Sequence, residues 1–248
     1  MNFSALPETN FVGRLLRRIL RLIPAGIRVP VLQGPAFGLR WIVGSGNHGC
    51  WLGTYEYEKS RLFAKFIHRN QIVYDVGAHV GYYTLIAARR CGEEGRVFSF
   101  EPLPRNLMFL YKHVKINGLE QVTIIDKAVG SEDARLKFAV AESGYQGYIA
   151  NNGQIEVNVT TLDSLWGASG LPAPHIIKID VEGAEYQVLK GAYKLLQLHY
   201  PTIFLSTHGI QIHAQCFDFL TSLSYKLSTV STSDEILAFH PDEINNVI

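Results

Sequence analysis

The chain has 248 residues, 47% of them hydrophobic and 18% charged, with 23 Lys and Arg against 22 Asp and Glu. This is the composition of a globular protein with room for one α/β core and an appendage, and a net charge of +1 lacks the basic excess of nucleic-acid binders. Cys50, Cys91 and Cys216 stand far apart without metal-ligand spacing, and no run of about 18 apolar residues offers a membrane span, so a cytoplasmic protein with reduced thiols is expected.

In chain order, FVGRLLRRILRLI (residues 11–23) comes first, with Arg14, Arg17, Arg18 and Arg21 opposite a stripe of Phe11, Leu15, Ile19 and Ile23. That spacing predicts an amphipathic helix, packed on the core with its arginines in water or, alternatively, in peripheral contact with an anionic membrane. Residues 24–54 are rich in Pro and Gly and predict turns and short strands, so residues 1–54 form an extension ahead of a catalytic domain over 55–248.

A helical pattern covers Tyr55 to Asn70. IVYDV (72–76), RVFSF (96–100) and VTII (122–125) then read as strands, separated by helices from Tyr82 towards Arg90 and through Leu103, Leu107, Leu110 and Val114. Near-continuous apolar strands alternating with helices predict a doubly wound, mostly parallel sheet covered on both faces. RLKFAV (135–140) and IEVNVTTL (155–162), joined across Asn152-Gly153, predict an inserted antiparallel excursion. HIIKID (175–180) resumes the core, followed by one helix through Ala184, Val188, Ala192 and Leu195, a strand at 202–206, a helix near 211–223 and closing strands near 225–230 and 235–240.

The turn after the first core strand, VYDVGAHVGYYTL (73–85), resembles a phosphate-binding glycine loop but opens with Asp75 and places His79 where a dinucleotide fingerprint needs glycine. A carboxylate repels a pyrophosphate and attracts an ammonium, by about 4 kcal/mol at ~4 Å and an effective dielectric of ~20. S-adenosylmethionine meets that demand, having no phosphate and a cationic end. Glu101, 20 residues beyond Gly81 at a strand end, is placed for the ribose hydroxyls, and Asp126, at the next strand end, for the adenine. Asp126 is equally suited to an ordinary solvated or helix-capping role. His79 shapes the turn.

DVGAHVGYYTLIA (75–87), FEP (100–102), TTLDSL (160–165) and KIDVEGAE (178–185) resemble, in order and spacing, the FkbM-type S-adenosylmethionine-dependent methyltransferases. The resemblance implies a seven-stranded, Rossmann-like class I methyltransferase sheet and O-methylation of a hydroxyl on a sugar, glycan or small natural product. By position it assigns cofactor contacts to Asp75, Gly77, Ala78, Gly81 and Glu101, with His79 and Pro102 alongside them in the same motifs. A nicotinamide-dependent oxidoreductase and a non-catalytic cofactor-binding module are the alternatives.

In a doubly wound sheet the first and fourth strands are neighbours, which brings Asp180 to the crevice beside Asp75; there Asp180 can hold the methionine ammonium, act as general base on the substrate hydroxyl or ligate a divalent ion, and His208 is the other candidate base. Lys178 shares a strand face with Asp180 and pairs with an acid or lines the pocket. The resemblance places an acidic residue two before His208, where Ser206 stands, a departure that argues against a metal or acid at that strand end, and no metal ligands are assigned. Tyr55, Glu56, Tyr145 and Tyr148 are weaker candidates for closing over the cofactor or lining an acceptor pocket.

Overall fold

The computed structural model describes residues 22–140, 147–149, 153–230 and 232–240, together with Arg14, Arg18 and Leu20. Most of the expected amphipathic helix, Tyr145 and Asn152 therefore lie outside the described residues. Arg14 and Arg18 are helical and exposed, whereas Leu20 is buried against the core. Among the described residues no helix is long and apolar enough to cross a membrane.

Residues 1–54 contribute an antiparallel pair, β1 (Arg28–Pro30) and β2 (Arg40–Ile42), and the helix α1 (His48–Leu52); α2 (Tyr57–Phe66) follows. Asn47 caps α1 by accepting the N–H of Gly49, and Gly53, at φ 73°, ends it. The core follows as β3 (Ile72–Val76), α3 (Tyr82–Cys91), β4 (Arg96–Phe100), α4 (Pro104–Ile116) and β5 (Val122–Ile125). After the excursion, β6 (Ala128–Val129), β7 (Ala134–Val140), β8 (Gly147–Ile149) and β9 (Ile155–Thr160), come α5 (Leu162–Gly167), β10 (Ile176–Ile179), α6 (Glu185–Lys190), α7 (Tyr193–His199), β11 (Thr202–Ser206), α8 (Ile210–Ser222), β12 (Lys226–Thr229) and β13 (Glu235–Phe239).

Seven strands form the main sheet in the order β12-β13-β11-β10-β3-β4-β5, with the first core strand beside the fourth, as expected. All neighbours are parallel except β11–β13 and β12–β13. The excursion makes a separate sheet, β6-β9-β7-β8, antiparallel apart from the short β6–β9 pair. The apolar strands are continuous because consecutive side chains feed opposite cores. Val73 and Ile176 join the core that includes Phe63, Leu85 and Phe204, while Tyr74 and Ile177 join that of Leu189, Leu195 and Ile203.

One expectation is corrected. The single helix through Ala184 to Leu195 is two helices, broken at Gly191. The Gly191 carbonyl accepts the N–H of Asp163 at 2.9 Å, and the Asp163 carboxylate caps the next helix by accepting the N–H groups of Lys194 and Leu195 at 3.0 and 2.9 Å. Only glycine fits there, since a Cβ at position 191 would lie 1.9 Å from the Gly130 carbonyl oxygen.

Candidate active site

A cavity of about 540 Å³ opens beyond the carboxyl ends of β3, β4 and β10, where open α/β sheets bind ligands. The turn after β3 is held from both neighbouring strands. The N–H groups of Gly77 and Ala78 donate to the Phe100 carbonyl at 3.0 and 2.9 Å. On the other side the backbone of Asp180 comes so near that a Cβ at Gly77, itself at φ +79°, would meet its carbonyl oxygen at 1.9 Å. His79 takes up φ 53° and turns its N–H onto Glu101 Oε2 at 2.8 Å.

Glu101 is the most firmly held acid on the cavity wall. Besides His79, the N–H of Leu103 and the amide of Asn106 donate to its Oε1 at 2.9 and 3.3 Å. It is buried, and burial pushes its pKa above the ordinary carboxylate value against the opposing effect of these donors. Ala78, His79, Pro102 and Gly77 line the cavity with it, as do Val129 and Lys127 of the segment after β5.

Three predicted cofactor contacts stand elsewhere. Asp75 is fully buried behind the wall, where its Oδ2 accepts the Thr84 hydroxyl at 2.7 Å and its Oδ1 lies 3.5 Å from Lys178 Nζ. Asp75 and Lys178 are register partners on adjacent strands, so the carboxylate is neutralised within the sheet and does not present its charge to a ligand. Gly81 is off the wall and serves packing: at φ +98° it begins α3, and a Cβ there would lie 2.6 Å from Leu110 Cδ1. Asp126 is exposed and off the wall, because the chain leaves β5 at Ile125 and turns straight into β6; its neighbour Lys127 lines the cavity instead.

The KIDVEGAE segment surrounds the other end. Asp180 lines the cavity with three cationic nitrogens about it: Lys178 Nζ at 3.7 Å and Lys59 Nζ at 4.0 Å from Oδ2, and His208 Nε2 at 3.9 Å from Oδ1. His208 Nδ1 donates to Glu185 Oε1 at 2.9 Å, and Nε2 lies 3.5 Å from Glu182 Oε2. The bond to Glu185 and the surrounding carboxylates raise the His208 pKa to about 9. A raised pKa favours the imidazolium at neutral pH, a form with no free site for a hydroxyl proton. Asp180, Glu182 and His208 offer ligand atoms within 4.8 Å of one another, a grouping that a divalent ion could use once His208 had lost its proton.

Sequence reasoning missed Lys59. Its ammonium is buried and donates to Ser206 Oγ at 2.5 Å, with Glu235 Oε1 at 3.0 Å and Glu56 Oε2 at 3.2 Å. Burial opposes its charge, yet the three carboxylates around it raise its pKa. Tyr83 donates to the same Glu56 oxygen at 2.6 Å. Glu235 is the register partner of Ser206 on β13, so the acid absent from the end of β11 is supplied by the adjacent antiparallel strand. No local motif signals this, because the members come from positions 56, 59, 180, 206 and 235. Tyr55, Tyr82 and Tyr83 complete the wall, with Asn47 and Cys50 of the extension.

Against known proteins, the Methyltransferase FkbM domain matches residues 75–238. The chain is 27% identical over 146 residues to the hexuronic acid methyltransferase AglP of Haloferax volcanii, covering 57% of this chain and 58% of that protein. It is 22% identical over 177 residues to methyltransferase 1 of Beauveria bassiana, covering 56% of this chain and 71% of that one. The crystal structure of an FkbM methyltransferase from Methylobacillus flagellatus KT superposes with a TM-score of 0.54 at 20% identity, over 79% of this chain and 56% of that one. The chain thus spans less than two thirds of the Haloferax and Methylobacillus proteins. Its seven-stranded sheet is Rossmann-like, and with two thirds of its length matched the chain belongs to the FkbM methyltransferase family.

Proposed function

We propose that the protein transfers a methyl group from S-adenosylmethionine to a hydroxyl of a sugar, glycan or related small molecule. The observation that carries this reading is Glu101: a buried acid at the end of β4, fixed by three donors, facing a cavity of about 540 Å³. A volume in that range suits a ligand of nucleoside size. Oε1 already accepts two hydrogen bonds and Oε2 one, so Oε2 keeps capacity for a further one and Glu101 can accept from a ribose hydroxyl. The close-packed turn of Gly77 and Ala78 bounds the middle of the cavity, and the carboxylates of Asp180 and Glu182 meet the ammonium or the acceptor at the far end. The sugar acceptor is supported by the Haloferax relative's description as a hexuronic acid methyltransferase.

When bound, the cofactor supplies a methyl group on a positively charged sulfur, open to in-line displacement by the acceptor oxygen. The protein's task is to position that oxygen and receive its proton. Lys59 and Lys178 gather at Oδ2 of Asp180 and fix the carboxylate, leaving Oδ1 to take the hydroxyl proton. The His208 imidazolium, 3.9 Å from Oδ1, lends positive charge to the developing alkoxide.

Calorimetry with S-adenosylhomocysteine tests the cofactor reading. Glu101→Ala should weaken binding by at least about tenfold, corresponding to loss of a charge-assisted hydrogen bond. Unchanged affinity in a folded variant would overturn the assignment. For the acceptor, Asp180→Asn should lower turnover by about 10²- to 10⁴-fold, the range for a positioned base.

A further inference from the structure

A second cavity, of about 770 Å³, lies at the opposite edge of the main sheet, where β3, β10 and β11 begin. Strands of four or five residues at ~3.3 Å each put roughly 15 Å between it and the first cavity. Its chargeable lining groups are Lys65, His68, His175 and His199, and among the described residues no Asp or Glu lines it. In a chain with 23 basic and 22 acidic residues that one-sidedness is local.

All four chargeable groups are exposed, and one of them is held in a fixed pose. His175 lies in the entry to β10, its N–H bonded to the Ile72 carbonyl at 2.9 Å and its carbonyl accepting the Thr202 N–H at 3.0 Å. Its ring is anchored as well, since the backbone N–H of Ile72 donates to Nδ1 at 3.1 Å. An Nδ1 that accepts leaves the ring proton on Nε2, making that atom a fixed donor. The His199 ring is set edge-on to Trp166, with centroids 4.9 Å apart. Below these donors the floor is apolar, formed by the buried Pro174, Ile176 and Pro201. The three histidines do not form a three-ligand group: among the described residues the grouping that brings three ligand atoms within 4.8 Å is the one at Asp180.

We propose that this second cavity binds a small anionic ligand, a carboxylate or phosphate carried on a body with an apolar face. The Lys65 ammonium and imidazole N–H donors around an apolar floor, with no carboxylate among the described lining residues, recognise an anion with a hydrophobic side and disfavour cations. The inference is independent of what occupies the first cavity.

The test is a titration of the full chain with inorganic phosphate, benzoate and, as an uncharged control, benzyl alcohol. S-adenosylhomocysteine is kept present, and the histidine ring protons are followed by NMR. Phosphate or benzoate should saturate below about 10 mM, an affinity typical of a few weak polar contacts, and shift the signals of His175 and His199. The tighter of the two distinguishes a phosphate from a carboxylate ligand. His175→Asn keeps an acceptor for Ile72 and removes the Nε2 donor; with Lys65→Gln it should weaken binding by about tenfold while the unfolding midpoint stays near wild type. The proposal is overturned if neither anion saturates, if benzyl alcohol binds as well as benzoate, or if the double variant keeps its affinity.

Discussion

The ammonium of Lys178 stands 3.5 Å from Asp75 Oδ1 across the β3–β10 ladder, with both side chains almost wholly out of water. The pair spends the negative charge of Asp75 inside the sheet, and Lys178 passes the connection on to Asp180 at 3.7 Å. The acid that opens the glycine turn is thus held inside the sheet, whereas Glu101, Asp180 and Glu182 face the cavity.

Removing one member of such a pair leaves the other buried without its counter-charge. Lys178→Met should therefore destabilise the fold by about 3–5 kcal/mol in urea unfolding. Adding Asp75→Asn should recover part of that loss, giving a coupling of at least about 1 kcal/mol. Strictly additive effects would show that the contact carries no energy.

The two glycines of the turn should separate in kind. Gly81→Ala meets the end of a flexible leucine and costs mainly the left-handed backbone, about 1–2 kcal/mol, with S-adenosylhomocysteine affinity kept. Gly77→Ala meets the Asp180 carbonyl and cannot be relieved without parting the β3 and β10 turns. Calorimetry should show cofactor affinity lost in the second variant and retained in the first.

Lys59 ties α2 to Asp180 and to β13. Lys59→Met leaves Glu56 and Glu235 facing one another without their cation, and should cost about 3–5 kcal/mol. Glu235→Gln in the same chain should restore part of the stability, as read from the denaturant midpoint. A second substitution that only destabilised further would remove the charge argument.

The pH dependence follows from His208 and Glu185. With a folded pKa of about 9 against ~6.5 unfolded, His208 stabilises the fold fully below about 6.5 and loses that contribution as pH rises through about 9. Burial raises the Glu185 pKa, but bonds from His208 and the Gly183 N–H outweigh it and hold it below the usual value. Its contribution is accordingly present above ~4.3 and lost as pH falls through the depressed value. Methyl transfer should decline above about pH 9 as the imidazolium is lost, and His208→Ala should abolish that alkaline limb. A wild-type rate still climbing at about pH 10 would refute the electrostatic role of His208.

The sequence by itself determined the architecture. Strands such as IVYDV and IIKI are mostly apolar because both faces are buried, and a run of that kind between helices has few other homes than a parallel sheet. It also determined the crevice and Glu101, because a glycine turn followed by an acid at the next strand end is a local pattern with a local cause. Tertiary structure alone decided which charges face the cavity. Asp75 turns inward because Lys178 sits opposite it in register, Glu235 substitutes for an acid at Ser206 across an antiparallel pair, and Asp163 splits a helix 31 residues away. Electrostatic energy depends on distance and burial, and neither can be read from spacing along the chain once the partners come from different strands.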